Sequence, residues 1–378
     1  MADVSDITKE AETLNIEDEG SDSEEEVKSN RHQRQKKQNQ TAKGKSVSKK
    51  KEKELAKEKD LRESTMRAFN TYFEAIYGQE RWPKLLEALQ KPGRHCCLVN
   101  RFCSEEATQA TISQFPALER LDYISIPAFI SSERFPQPPK DEKGVCMYYP
   151  LDAASLLAVD ALDLKPNHSV LDICAAPGGK TLAIMQHLTS MGSTLTSNEI
   201  APDRKRRLKQ VVWDYVPKGK ERDRIIVTSR DGTHWEEEER YDRVLVDAPC
   251  SSERHLLKDM TEFLKWTPKK TGNASKEQLK ILKSAIMAVR VNGLVVYGTC
   301  SISTKENDDV IEKILKKSKI NIEVMRREWA IGERTKYGWI VLPDDGHGWG
   351  PLFFTILKRL PDDDDSNSEE SQTESDED

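Results

Sequence analysis

The stretch S169-V-L-D-I-C-A-A-P-G-G-K-T181 decides the fold. Its first half, S169-V-L-D-I-C174, is a short apolar run of the kind that fills a strand buried on both faces. A turn of small residues follows, and the spacing of apolar residues over 181–188 predicts a helix. Strand, glycine-rich turn and helix in that order leave backbone N–H groups at a helix N-terminus, able to approach an anionic or polar ligand group closely. The turn is no dinucleotide fingerprint, because G-x-G-x-x-G is absent. Nor is it a P-loop, because Cys174 stands where the first glycine would be needed. The plainer alternative is a tight turn that only packs helix on strand.

Outward from this unit the order stays regular. L151-D-A-A-S-L-L-A-V-D-A-L162 reads as a helix, and T194-L-T-S-N-E199, R224-I-I-V-T228, R243-V-L-V-D247 and G293-L-V-V-Y297 read as strands. Helical segments over 203–212, 276–289 and 306–315 fall between or after them. Such alternation predicts a parallel sheet covered on both faces, a Rossmann-like α/β domain. The runs G338-W-I-V-L342 and L352-F-F-T-I-L357 are close enough to pair as an antiparallel hairpin at the sheet edge.

Ligands of such sheets sit outside the carboxyl ends of the strands, so the strand tips carry the functional reading. Beyond the Cys174 turn, the second strand ends at Glu199, where an acid can accept hydrogen bonds from both ribose hydroxyls. The third ends before D231-G232, a pair that could receive an adenine amino group or simply form a β-turn. The fourth ends at Asp247, followed by Pro249 and Cys250; the fifth ends at Thr299 and Cys300. A ribose-binding acid without either phosphate motif points to S-adenosyl-L-methionine rather than NAD or ATP.

Two thiols at adjacent strand tips suit one chemistry in particular. Carbon 5 of a pyrimidine is a poor nucleophile; a thiolate adding to carbon 6 makes it able to accept a methyl group, and the thiol leaves after the carbon-5 proton is lost. A carboxyl group hydrogen-bonded to cytosine N3 or N4 would favour addition, and Asp247 is placed for it. Sequence order does not decide which thiol attacks and which assists release. Taken singly, each cysteine reads as well as core packing.

Charge is segregated. Residues 1–26 carry eleven acids and one lysine, and 362–378 carry ten acids and no base; removing these two net −10 segments from a chain of net −6 leaves +14 on 27–361. About nine of those charges fall in 27–61, thirteen bases against four acids. A basic body suits a polyanion, or a merely solvated surface. The seven cysteines form no C-x-x-C pair, so free thiols, a reducing compartment and no metal are expected. No apolar run is long enough for a bilayer, no membrane partner is expected, and the acidic start reads neither as a signal peptide nor as a presequence.

The expected organisation is a disordered acidic and basic tail over 1–61, and a small, mostly helical cap and RNA-binding region over 62–145. The methyltransferase domain over 146–361 and an acidic tail over 362–378 complete it. Helices are expected at Met66, Phe69, Phe73 and Ile76 and from Trp82 to Leu89, with strand-like runs at C97-L-V-N100 and Y123-I-S-I126.

C174-A-A-P-G-G-K-T181, D247-A-P-C250 and G298-T-C-S301 followed by E306-N307 together resemble the Nop/Sun family of RNA (cytosine-5) methyltransferases over about residues 65–360. Y148-Y-P-L-D-A-A-S-L-L157, Y215-V-P217, S252-E-R-H255 and L342-P…G350-P-L-F-F354 resemble its short branch that methylates mitochondrial small-subunit rRNA. The resemblance implies cofactor binding by Cys174, Ala175, Ala176, Pro177, Gly178, Gly179 and Lys180, by Glu199 on the ribose, by Arg204 nearby, by Asp231 and Gly232 near adenine, and by Asp247 toward the methyl end. It implies Cys300 as nucleophile and Cys250 as promoter of release. Two departures are visible: Gly298 where serine is usual, and Ser252 where many members carry glycine.

The same resemblance implies an rRNA substrate, mitochondrial residence, a monomeric catalytic unit and a protein partner that supplies RNA affinity. The N-terminal composition leaves nucleus, nucleolus or cytoplasm as the alternative compartments. R254-H-L-L-K…K265-W-T-P-K-K270 offers bases and Trp266 as a stacking or phosphate-binding flap, and the lysine-rich arm over 43–59 offers non-specific RNA affinity or a nuclear signal. The competing readings are a methyltransferase for tRNA or a non-RNA substrate, and a ribosome-assembly or RNA-binding factor whose catalysis is dispensable.

Overall fold

In the computed structural model, described for residue 32 and residues 53–345 and 348–362, residues 53–63 and the chain from Ser64 onward are separate units. Residues 53–63 are helical and exposed, and lysine, glutamate, leucine and alanine, strong helix formers, make up most of the run. The rest of the expected tails, with most of the 43–59 arm, lies outside the described residues.

The second unit opens with helix α1 (64–77) and, after Gly78 at φ +80°, helix α2 (Trp82–Gln90). α1 buries Phe69 and Phe73 against Trp82 of α2. The chain then builds an antiparallel sheet from β1 (Cys96–Val99), β2 (Glu119–Arg120), β3 (Ala128–Ile130) and β4 (Tyr148–Leu151), in the order β2-β3-β1-β4. Helix α3 (Glu105–Ile112) intervenes. The run at 123–126 is turn rather than strand, although Ile124 and Ile126 are buried; Pro127, which follows Ile126, lacks the N–H that a ladder through this run would need.

From α4 (Ala153–Asp160) the expected α/β order appears: β5 (Ser169–Asp172), α5 (Gly179–His187), β6 (Thr194–Asn198), α6 (Pro202–Tyr215), α7 (Lys220–Asp223), β7 (Ile225–Thr228) and β8 (Tyr241–Asp247). Short helices α8 (Glu253–Leu256) and α9 (Met260–Phe263) precede the long α10 (Pro268–Ala288), and β9 (Val289–Thr299) and α11 (Asp308–Lys317) follow. α10 starts eight residues before the sequence pattern suggests, because Thr267 caps it through its hydroxyl and Pro268 occupies the first turn. The last strands are β10 (Ile322–Met325), β11 (Glu333–Arg334), β12 (Trp339–Val341) and β13 (Leu352–Arg359).

The main sheet runs β11-β12-β13-β9-β8-β5-β6-β7, with β10 also on β13. β7, β6, β5, β8 and β9 are parallel; β13 and β12 pair antiparallel, as the expected hairpin does, with Trp339 opposite Phe354. The chain lays down β5, β6 and β7 in one direction and then returns to β8 and β9 on the other side of β5. That reversal between β5 and β8 is the switch point at which such sheets bind ligands. Val170, Leu171, Val244, Leu245, Val295 and Val296 are at most 1% exposed, so the parallel strands are covered on both faces.

Candidate active site

The turn after β5 is shaped by two glycines. Gly178 adopts φ +118°, where a Cβ would also stand 3.0 Å from Val211 Cγ1, and a Cβ on Gly179 would meet Tyr149 Cε1 at 2.8 Å. Tyr149 of β4 therefore closes over the turn, and the two enclose a cavity that Ala175, Ala176, Pro177 and Lys180 also line. A second cavity, of ≈ 320 Å³, opens beside it and is lined by Cys300, Ser252, His255 and Lys258 among others. The cavities share Asp152, Ser155, Lys180 and Asp247.

Lys180 in the first turn of α5 faces Asp247 at the end of β8: Lys180 Nζ donates to Asp247 Oδ2 at 2.9 Å and to Ser155 Oγ at 3.3 Å. Burial works against the lysine's charge, yet the Asp247 carboxylate holds its pKa above the ordinary value. The wall between the cavities is thus a fixed ion pair. Such a pair holds its carboxylate in one position, and that position serves a base that must be oriented.

At the tips of β8 and β9 the two sulfurs are 2.9 Å apart. Cys300 lines the open cavity; Cys250 is not among the residues that face it. The hydrogen bond with Cys250 lowers the Cys300 pKa, and a contact with Ser252 and the charge of Lys180 add to this against burial and Asp247. Cys250 is pushed up by the same hydrogen bond and by its own burial. Of the two thiols, Cys300 is therefore the more readily ionised. Ser252, with φ +51°, holds a left-handed conformation that favours glycine, yet carries a hydroxyl toward the thiol.

Behind the sulfurs lies a buried polar lattice. Glu253 and Glu306 are both fully buried and bridged by the Ser251 hydroxyl. Ser301 Oγ donates to Glu253 Oε1 at 3.1 Å and to Glu306 Oε1 at 3.2 Å; Ile302 N–H donates to Glu253, and Ser251 N–H and Gln278 Nε2 to Glu306. Thr299 donates to Asn307, which donates back to the Ser301 carbonyl. The lattice ties the loop carrying Cys250 to the loop carrying Cys300, so the sulfur spacing is braced from both sides. Burial and Glu306 push Glu253 up to about 7.

On the other flank, Glu199 is 3% exposed; its Oε1 accepts from Ala201 N–H while Oε2 has no hydrogen-bond partner, lying 3.4 Å from Arg204. Arg204 in turn donates to the Ala176 carbonyl at 2.7 Å. A buried carboxylate oxygen left without a donor fits a ribose hydroxyl. Asn198 fastens the neighbouring strand ends, donating to Ile173 and Arg230 carbonyls and accepting from Arg230 N–H. Gly232 packs on Ile173, with 3.3 Å from its would-be Cβ to Cγ1, and Asp231 is an exposed cap accepting from Thr233.

A model of the 16S rRNA methyltransferase RsmB/F family matches residues 159–358. The chain belongs to this family. It is 36% identical to the 5-cytosine rRNA methyltransferase NSUN4 of Xenopus tropicalis over 285 residues, 70% of this chain and 69% of the relative. It is 32% identical to the mitochondrial tRNA (cytosine(34)-C(5))-methyltransferase of Danio rerio over 333 residues, 80% and 89% of the two chains. Among solved structures, NSun6 from Pyrococcus horikoshii with SFG is 17% identical at TM-score 0.62, covering 78% of this chain and 98% of that one, and shares the fold. The expected Nop/Sun resemblance is thereby met, and with it an S-adenosylmethionine-dependent RNA m5C methyltransferase.

Within this RsmB/F methyltransferase the expected residues divide into groups. Ala175, Ala176, Pro177, Gly179, Lys180 and Asp247 line one cavity, and Cys300, Lys180 and Asp247 the other. Cys174, Gly178, Glu199, Arg204, Asp231 and Gly232 stand around the first cavity's strand tips without lining it. Trp266 is a correction: it is 4% exposed, its ring 4.9 Å from Phe69, so it belongs to the aromatic core and cannot stack on a base from there. Arg254 spends its guanidinium on the Gly350, Gly348, Lys91 and Pro92 carbonyls. Tyr149, Asp152, Ser155, Glu253 and the internal side of Glu306 escaped the sequence reading; an acid shortly after each cysteine, in C250-S-S-E253 and C300-S-I-S-T-K-E306, was the available signal.

Proposed function

We propose that the protein methylates carbon 5 of a cytosine in small-subunit rRNA, and that it does so in mitochondria. One observation carries the mechanism: Cys300 faces an open cavity as the acid member of a sulfur pair, beside the Lys180–Asp247 wall shared with the second cavity. S-adenosylmethionine, when bound between Tyr149 and the Ala175–Lys180 turn with its ribose toward Glu199, supplies an electrophilic methyl group.

The Cys300 thiolate would bond to carbon 6 as the ring's electron pair shifts to carbon 5, and carbon 5 would take the methyl group as its bond to the donor's sulfur breaks, the electron pair staying on that sulfur. Asp247, held as a carboxylate by Lys180, accepts from the cytosine amino group and orients the base edge. Loss of the carbon-5 proton to a base returns that electron pair to the ring and breaks the C6–S bond. The Cys250 thiol, 2.9 Å from Cys300, hydrogen-bonds the departing thiolate. A cytosine in paired RNA has to leave its stack to enter the cavity.

The rRNA substrate is supported by the family and by the NSUN4 relatives, and the compartment by the relative whose name carries "mitochondrial". The tRNA relative makes the choice of RNA a matter for experiment. Bisulfite sequencing of mitochondrial and total RNA, with and without the gene, is expected to show one small-subunit rRNA cytosine losing its mark. Loss confined to a tRNA, or no loss, contradicts the proposal.

A further inference from the structure

Beside the Cys300 cavity lies a third, of ≈ 450 Å³, built from residues of the β-sheet cap and the loop after α8. Arg94, His95, Arg134 and Lys258 line it; the loop at Ser131 and Ser132 closes one side, and Glu133 is its single acid. Lys258 also lines the Cys300 cavity, and His95 also lines the cavity under Tyr149, so the third space adjoins both.

The charges here differ from those inside the site. Lys180 is neutralised by Asp247, and Arg254 is occupied by carbonyls. Arg134 and Lys258 are exposed and have no carboxylate partner among the described residues. Arg94 lies over the Trp349 ring at 4.7 Å, which fixes its guanidinium at the rim. His95 reports the resulting field: burial lowers its pKa, and Arg134, Arg254 and Lys258 push it further down against the pull of Asp152.

From this arrangement we infer that the cavity of Arg94, His95, Arg134 and Lys258 seats the phosphodiester backbone next to the target cytosine. This deepens the proposed function and rests on it. A base entering the Cys300 cavity brings its own sugar and phosphates to the rim, and Lys258 stands at that rim. Arg134 and Lys258, two exposed cations beside the cavity that holds Cys300, match a polyanionic strand. The backbone contact supplies register and leaves sequence choice to other contacts.

The test uses the full chain carrying Arg134→Ala with Lys258→Ala, both exposed positions whose loss leaves the core intact. Binding of a cytosine-containing single-stranded RNA oligonucleotide is followed by anisotropy across a salt series, and methylation by label transfer. With about 0.7 of a unit of log–log salt slope per phosphate contact on a single strand, two lost contacts make the slope shallower by about 1.4 and weaken binding about tenfold at 0.15 M salt. S-adenosylmethionine affinity is expected to stay unchanged. Arg206→Ala with Lys209→Ala, on the outer face of α6, should leave the slope as it is.

An unchanged slope and affinity in the rim variant overturns the inference, as does an equal loss in the α6 variant, which would mean diffuse attraction. An unchanged RNA affinity with lost binding of an acidic peptide would assign the cavity to a protein partner and likewise overturn it. Anisotropy does not require methylation. A wild-type protein that binds but transfers no methyl group therefore counts against the proposed function alone.

Discussion

Replacing Lys180 with methionine keeps the length of the side chain and removes its charge. Lys180 Nζ sits 2.9 Å from Asp247 Oδ2, and both charges act on Cys300: the lysine lowers the thiol's pKa and the aspartate raises it. Without Lys180 the Asp247 carboxylate acts alone. A nearby positive charge favours the thiolate, so Lys180→Met should raise the pKa of Cys300. The assay is the pH dependence of iodoacetamide alkylation, read at Cys300 by peptide mapping to separate it from Cys250. The midpoint should move up, and at neutral pH alkylation should slow as the thiolate fraction falls. Adding Asp247→Asn to Lys180→Met removes the second charge and should restore most of the shift. A midpoint that stays put in the single variant, or one that the double variant fails to restore, refutes the electrostatic coupling.

Other consequences are open to direct measurement. Glu199→Gln replaces the buried acceptor proposed for the ribose and should weaken S-adenosylmethionine binding by about 1–3 kcal/mol in calorimetry, with RNA affinity unchanged; equal cofactor affinity would remove Glu199 from the site. Glu253 titrates near 7 when folded against an ordinary 4.5, so between those values the native state holds a proton that the unfolded chain has lost. Its contribution to stability is full below about 4.5 and gone above about 7, and stability falls through that window by up to about 3 kcal/mol. Glu253→Gln should flatten that fall in pH-dependent urea denaturation; an unchanged slope contradicts the assignment. Trp266→Ala empties part of the aromatic core and should cost about 3–5 kcal/mol in the same assay while leaving RNA affinity of the folded protein intact. Lost RNA affinity at unchanged stability would return Trp266 to a stacking role.

The parallel sheet was legible because its strands are continuous apolar runs ending in chemically marked tips, and both signals are local. S169-V-L-D-I-C174 and R243-V-L-V-D247 therefore fell within a residue or two of β5 and β8. What stayed hidden is non-local. Lys180 and Asp247 were each visible, but the ion pair joins residues 67 apart in the chain. Trp266 sits in a basic stretch and reads as a surface aromatic; the aromatic face of α1 packs on its ring. β10 and β11 are four and two residues long, too short to establish an alternation. The phosphate-seat residues Arg94, Arg134 and Lys258 come from three separate loops and share no motif.

The central claim is that sulfur 300 bonds to the pyrimidine and sulfur 250 releases it. Incubating the Cys250→Ala protein with cytosine-containing RNA and S-adenosylmethionine, then running denaturing gels and mass spectrometry on the RNA-linked peptide, reads that bond directly. The account predicts a stable adduct mapped to Cys300, absent from Cys300→Ala and from the double variant. Normal turnover by Cys300→Ala, or an adduct mapped to any other residue, would contradict it.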